Sequence, residues 1–186
     1  MSGNCGSIDE RALRTRNSLA AAVIRLGPRR GVDRITVGEL ASEAGISRST
    51  FYAHFGSFEQ YLAQSFATMV ERMAAHGAAQ SPGSDAPLLC TQYILSHVYG
   101  APEFVAAAAG SRHRAAMFAA GEQRLTAHLE ARLRVVRPAL ERRRRVALAR
   151  FVAAGFIGLL RDWMEQGMPR SPDELRGDFE AMTAAL

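Results

Sequence analysis

Apolar residues recur along this chain at three- and four-residue intervals, and no stretch alternates apolar and polar side chains as a half-buried strand requires. The pattern predicts helices from end to end. Ser7 and Glu10 have the spacing of a capping box, and Leu13, Ala20, Val23 and Ile24 share a face of the helix that follows. That helix is expected to reach about Leu26, with Gly27-Pro28 as its stop and Gly31 allowing a tight return. Thr36 and Glu39 repeat the capping spacing, and Val37, Leu40, Ala41 and Ala44 stripe a two-turn helix. Gly45 suits a left-handed turn position, and Ser47 is placed to cap a second short helix ending near Phe55. Ser57 with Gln60 is a third capping spacing, opening a long helix from Phe58 to about His76.

Gly77 to Pro87 is rich in Gly, Ala, Ser and Pro and reads as a loop or linker. Helices are expected next at 88–99, 102–110 and 112–135, with Pro102 at a helix start, where its missing N–H costs nothing. Pro138 is expected to open a long helix ending at Gly167. Ser171-Pro172-Asp173-Glu174 combines a cap, a first-position proline and two acids at the positive end of the helix dipole. Leu175, Phe179, Met182 and Leu186 then form the apolar side of a closing helix. The fold class is all-α, with about nine helices.

Composition narrows the functional classes. The chain has 186 residues, 48% hydrophobic and 22% charged, which suits a packed core under a solvated surface. The longest apolar stretches are too short to cross a bilayer, and no secretory signal pattern opens the chain, so a cytoplasmic location is expected. Cys5 and Cys90 make no disulfide framework. All 23 cations are arginines and the net charge is +5, which makes a nucleic-acid partner plausible without establishing one. The charge is uneven: residues 110–150 carry 11 arginines against 3 acids, whereas residues 1–66 carry 8 against 6. The most basic stretch is therefore not the one with the clearest nucleic-acid pattern.

That pattern is Thr36 to Phe55, two short helices joined through a glycine turn, the helix-turn-helix arrangement whose second helix enters the DNA major groove. Leu40, Ala41, Ile46 and Phe51 are placed to hold the two helices together. Ser47, Arg48, Ser49, Thr50, Tyr52 and His54 would offer donors to phosphates and base edges. Ile46-Ser47-Arg48-Ser49-Thr50-Phe51-Tyr52-Ala53-His54-Phe55 resembles the signature of the tetracycline-repressor (TetR) family, and the likeness covers roughly residues 10–70. The resemblance implies a three-helix DNA-binding domain at 8–56 and a helical effector-binding and dimerisation domain at 57–186. It further implies that Tyr52 and His54 meet the DNA backbone, that Arg48 and Ser49 face base edges, and that Thr36 caps its helix near a phosphate. Two positions depart from the family pattern. Phe58 stands where many relatives have a lysine, and Gly38 where many have a basic residue; each departure removes one expected phosphate contact and predicts a shallower salt slope.

The same resemblance implies a regulator acting as a homodimer on a palindromic, double-stranded operator. The dimer would form through helices at about 138–167 and 172–186, where Ala153, Ala154, Gly155 and Gly158 would let a partner helix approach closely. A mostly apolar effector pocket is expected between the helices of 88–165, with Tyr93, His97, Phe104, Met117, Phe118 and Trp163 as candidates for its lining, although plain core packing is the commoner role for any one of them. Cys90 and His97 lie seven residues apart, but no third ligand has a convincing spacing, so neither metal nor cofactor is expected. Arg142 to Arg145 is read as a solvated face, with an anionic effector or acidic partner as the alternative. No phosphate loop, zinc-protease helix or nucleophile elbow is present, and no catalytic residue is assigned. A helical small-molecule-binding protein or enzyme, or a protein-binding adaptor, with a degraded DNA-binding motif remains the competing reading.

Overall fold

The computed structural model describes residues 5–80 and 87–184, with side chains from Glu10 onward. Ser7 and the middle of the expected linker fall outside the described side chains and residues. Among the described residues there are nine α-helices, one short 3-10 turn and no strand. They are α1 (Cys5–Arg30), the turn Val32–Arg34, α2 (Val37–Glu43), α3 (Arg48–His54), α4 (Phe58–Gln80), α5 (Gln92–Tyr99), α6 (Pro102–Ala109), α7 (Arg114–Val136), α8 (Arg142–Glu165) and α9 (Pro172–Thr183). None is long and apolar enough to cross a membrane.

Four expected boundaries move. α4 runs on to Gln80, past its expected end at His76, so residues 77–80 of the expected loop are helical, with Gly77 buried against Cys90. The other three move for local reasons. Gly27-Pro28 does not stop α1, which continues to Arg30. Pro28 lies in the last turn, where its missing N–H removes a single rung, and the chain turns at Gly31 with φ +74°. Gly27 instead serves packing: a Cβ there would come within 2.9 Å of the Phe104 ring on α6. Pro138 does not open the long helix either. It restricts the residue before it, so α7 ends at Val136, a turn follows with Leu140 N–H bonded to the Arg137 carbonyl, and α8 begins at Arg142. The helix expected from residue 88 begins at Gln92, because Leu88 and Leu89 lie in a non-helical approach where Leu89 is already buried.

The centre of the molecule is the long pairing of α4 with α7, with α8 packed on the other side of α7. Leu125, Leu129 and Leu133 recur every four residues on α7 and are fully buried. Burial of such a side chain contributes roughly 1.5–3 kcal/mol. One contiguous buried cluster runs from Leu19 on α1 to Phe179 on α9, so α1 to α3 share a core with the rest of the chain.

Candidate nucleic-acid interface and ligand cavity

The α2–α3 unit is defined by local bonding. The Thr36 hydroxyl accepts from the Glu39 N–H (3.2 Å), while Thr36 N–H and hydroxyl donate to the Glu39 carboxylate (3.0 and 2.9 Å). These bonds, together with an ion pair to Arg30, hold the Glu39 carboxyl below its usual pKa. The donor of Thr36 is therefore committed to the capping box. α2 ends in a Schellman turn: Ile46 N–H reaches the Ala41 carbonyl (2.9 Å) and Gly45 N–H the Ser42 carbonyl (3.1 Å), with Gly45 at φ +67°. Arg25 of α1 holds Glu43 at 2.7 Å and ties α2 to α1.

Helix α3 starts at Ser47, whose hydroxyl accepts from Thr50 N–H (3.0 Å) and lies 2.8 Å from the hydroxyls of both Ser49 and Thr50. Phe51 and Phe55 bury the opposite face against Tyr61, with ring centroids 5.1–5.9 Å apart. This aromatic wedge leaves Arg48, Ser49, Tyr52 and His54 exposed on the outer side, with Thr50 half-buried. Tyr52 leans edge-on against Phe51 at 5.5 Å. Arg48 lies across the start of α2: its Nε is 3.8 Å from where a Gly38 Cβ would stand. A Cβ there would be in ordinary contact with the Arg48 guanidinium, so the space at Gly38, the position that departs from the family pattern, is not what places Arg48. Phe58, the other departure, packs edge-on against the buried His113 ring at 5.6 Å.

A cavity of about 140 Å³ lies behind this unit, between α1, α4, α5 and α6, with Met117 of α7 and Met164 of α8 at its edge. Three sequence candidates, His97, Phe104 and Met117, line it. The other three are elsewhere. Tyr93 packs edge-on against His76 (4.5 Å), Phe118 against Phe66 (5.5 Å), and Trp163 stacks on Tyr99 while its indole N–H donates to the Arg170 carbonyl (2.9 Å). The lining that sequence reasoning missed comes from α1 (Val23, Ile24) and α4 (Tyr61, Leu62, Phe66). Tyr61 is fully buried, its hydroxyl makes no hydrogen bond of ordinary geometry, and burial raises its pKa while the neighbouring Ser65 hydroxyl acts the other way. Cys90 and His97 do not converge: Cys90 packs over Gly77 and His97 stands at the cavity. Among the described residues no three His, Cys, Asp or Glu side chains are grouped to hold a metal ion.

Along α8 the small residues divide. Ala153 is buried in the core, whereas Ala154 and Gly155 are exposed and Gly155 and Gly158 face open space. With Phe151, 64% exposed, they form an uncovered apolar stripe on α8, and Gly177 and Met182 are exposed on α9. Arg142 to Arg145 occupy the first turn of α8, at the positive end of its dipole, with no acid in that turn.

Comparison with known proteins agrees with this architecture. Residues 19–63 match the family model described as bacterial regulatory proteins, tetR family, and residues 85–184 match one described as a transcriptional regulator C-terminal region. Among solved structures, the chain is similar to the dihydroxyacetone kinase operon activator DhaS (16% identity, TM-score 0.65, covering 92% of this chain and 94% of that one). It is also similar to a TetR transcriptional regulator from Rhodococcus sp. RHA1 (15% identity, TM-score 0.64, covering 94% and 96%). A third is the TetR family repressor AlkX from Dietzia sp. strain DQ12-45-1b (18% identity, TM-score 0.59, covering 90% and 95%). At these identities the likeness speaks for the fold. No curated protein sequence matches the chain.

Proposed function

Because this chain belongs to the TetR family and is a DNA-binding transcriptional regulator, we propose that it acts as a cytoplasmic homodimer on a palindromic operator and releases or tightens its hold when a small molecule enters the cavity. The observation that carries this reading is the outer face of α3, where Arg48, Ser49, Tyr52 and His54 stand exposed on a frame held by two caps, a Schellman turn and an aromatic wedge. A side chain held in this way loses little freedom on docking, and guanidinium, hydroxyl and imidazole donors suit phosphates and base edges. Arg48, whose guanidinium lies over Gly38 in the free protein, swings outward in this reading to reach a base edge. Ser47, Thr50 and Thr36 order the helix starts. Residues 8–56 form the reading unit and lend α1 to one wall of the cavity, while residues 57–186 supply its other walls and the surface for the partner subunit.

The exposed apolar positions of α8 and α9 support dimerisation there, and such a dimer would have to set two recognition helices about 34–36 Å apart to meet successive major grooves. DhaS is an activator and AlkX a repressor, so this fold serves both outcomes. Occlusion of a promoter is the expected mode here.

Selection from a randomised duplex pool at fixed moderate salt tests the proposal, with enrichment of a palindrome as the expected result. Tyr52→Ala should then weaken binding to the selected duplex about ten-fold, the loss of a backbone contact and its packing. Unchanged affinity of that variant would show that α3 is not the recognition helix.

A further inference from the structure

The cavity and a second recess share a wall, and their chemistry differs in a way that specifies a ligand. The walls of the cavity are almost wholly apolar, with Val23, Ile24, Leu62, Phe66, Val105 and Met117 among them and no carboxylate or guanidinium. A void of about 150 Å³ lined by such groups holds a benzene ring. The body of the ligand is therefore neutral and no larger than a single ring or a short branched chain. Tyr61, fully buried beside the Ser65 hydroxyl and with no hydrogen bond of ordinary geometry, adds one polar contact from the wall.

Ala20, Ser65, Met69 and His97 border both this cavity and a recess of about 300 Å³ on the outer side. The recess is lined by Arg16 of α1 and Arg72 of α4, with Asn17, Gln64 and Thr68 and no acid. Neither arginine has an ion pair among the described residues. Glu71, next to Arg72 in sequence, is engaged by Arg124 at 3.5 Å. Two uncompensated guanidiniums at the mouth of an apolar cavity produce a local positive potential that a carboxylate satisfies.

We propose that this protein binds a small amphipathic carboxylate, with its apolar body in the cavity and its carboxylate between Arg16 and Arg72. The assignment rests on reading the cavity as the effector site and names the ligand class for it. Arg16 belongs to the helix that carries the DNA-reading unit and Arg72 to the long helix behind it. A carboxylate held by both therefore favours one arrangement of α1 against α4 over others.

The test uses the full-length protein and three probes of one shape: 3-phenylpropanoate, 3-phenylpropan-1-ol and 3-phenylpropylamine. Calorimetric titration should show the carboxylate binding at least ten-fold more tightly than the alcohol, with the amine weakest. Replacing both exposed arginines (Arg16→Gln with Arg72→Gln) should weaken the carboxylate roughly ten- to a hundred-fold and leave the alcohol unchanged. A para-hydroxyl on the ring of the carboxylate should add affinity that Tyr61→Phe removes. Alcohol or amine binding as tight as the carboxylate, or no binding of any probe, overturns the assignment. Arginine-dependent carboxylate binding that leaves affinity for the selected palindrome unchanged would instead overturn the effector reading and leave the ligand class standing.

Discussion

Gly121 on α7 and Phe66 on α4 meet where the two longest-paired helices cross, and the sign of one substitution there can be worked out in advance. A Cβ at Gly121 would lie 2.6 Å from Cε1 of Phe66 and 2.9 Å from Cδ1. Ordinary contact begins near 3.4 Å, so the ring must withdraw by roughly 0.8 Å. Phe66 is held from the side by Phe118 at 5.5 Å and otherwise borders the cavity, which is the direction left open to it. Gly121→Ala gains about 0.8–1 kcal/mol of helix propensity. Overpacking of a tight core costs about 1–3 kcal/mol. The variant should therefore be destabilised by about 0–2 kcal/mol and should bind the cavity's ligand less well, since the ring takes part of its space. Phe66→Leu removes the nearer clashing atom, Cε1, and replaces the rigid ring edge by a methyl that can rotate away, so the pair should be coupled by about 0.5–3 kcal/mol in the relieving direction. Urea denaturation of the four proteins of the cycle, at one protomer concentration, measures this directly. If Gly121→Ala stabilises by the full propensity gain and the two changes simply add, the close approach of α4 and α7 described here is wrong.

Other consequences are smaller in scope. Gly45→Ala meets no atom within 4 Å, so its cost is conformational alone, about 1–2 kcal/mol at φ +67°, and Gly45→Asn should recover part of it in thermal unfolding; equal stability of all three would refute the turn geometry. Burial, then the nearby Arg132, lowers the pKa of His128, against the opposing pull of Glu71. The unfolded chain therefore takes up this proton first as pH falls below about 6.5, and stability drops from there until the folded-state pKa is reached. His128→Gln should flatten that part of the urea midpoint profile between pH 7.5 and 5, and an unchanged profile would remove His128 as its cause. Phe151→Glu places a charge on the apolar stripe of α8 in both protomers at once; burying that ring contributes about 1.5–3 kcal/mol per copy, so the dimer constant should weaken at least about a hundred-fold by sedimentation.

What the chain discloses in advance is what it encodes locally. The capping spacings at Thr36, Ser57 and Ser171 each correspond to an observed cap, because the donor and acceptor lie within three or four residues of each other. Gly45 was readable for the same reason: a Schellman turn closes within six residues. Gly27-Pro28 misled because glycine can mark either a stop or a close approach, and only the distant Phe104 decides between them. The cavity was half legible. His97, Phe104 and Met117 of α5–α7 are apolar or amphipathic residues in the right region, but Trp163 has the same composition signal and spends its indole N–H on the α8–α9 turn. Tyr61 and Phe66 carried no signal at all, since a long helix behind a reading unit needs apolar residues on one face regardless of whether a void lies beside them.

The placement of that void bears on how a signal can travel. α1 belongs to both halves of the molecule: Leu19 and Val23 share the core with the reading unit, and Arg25 grips Glu43 of α2. Its far end is held differently. The Asp33 carboxylate accepts the Arg112 backbone N–H through both oxygens (3.1 and 3.3 Å), and Phe104 fills the space above Gly27. Ala20, Val23 and Ile24 wall the cavity on the N-terminal side of both ties. A ligand that presses on them acts on a helix tied to α2 along its length and to the α6–α7 corner at its end. In the proposed ligand response, a tilt of α1 about the Asp33 tie would be passed to α2 through their shared core and the Arg25–Glu43 pair. The small volume of the cavity is part of this argument: a close-packed wall transmits displacement, where a roomy one would absorb it.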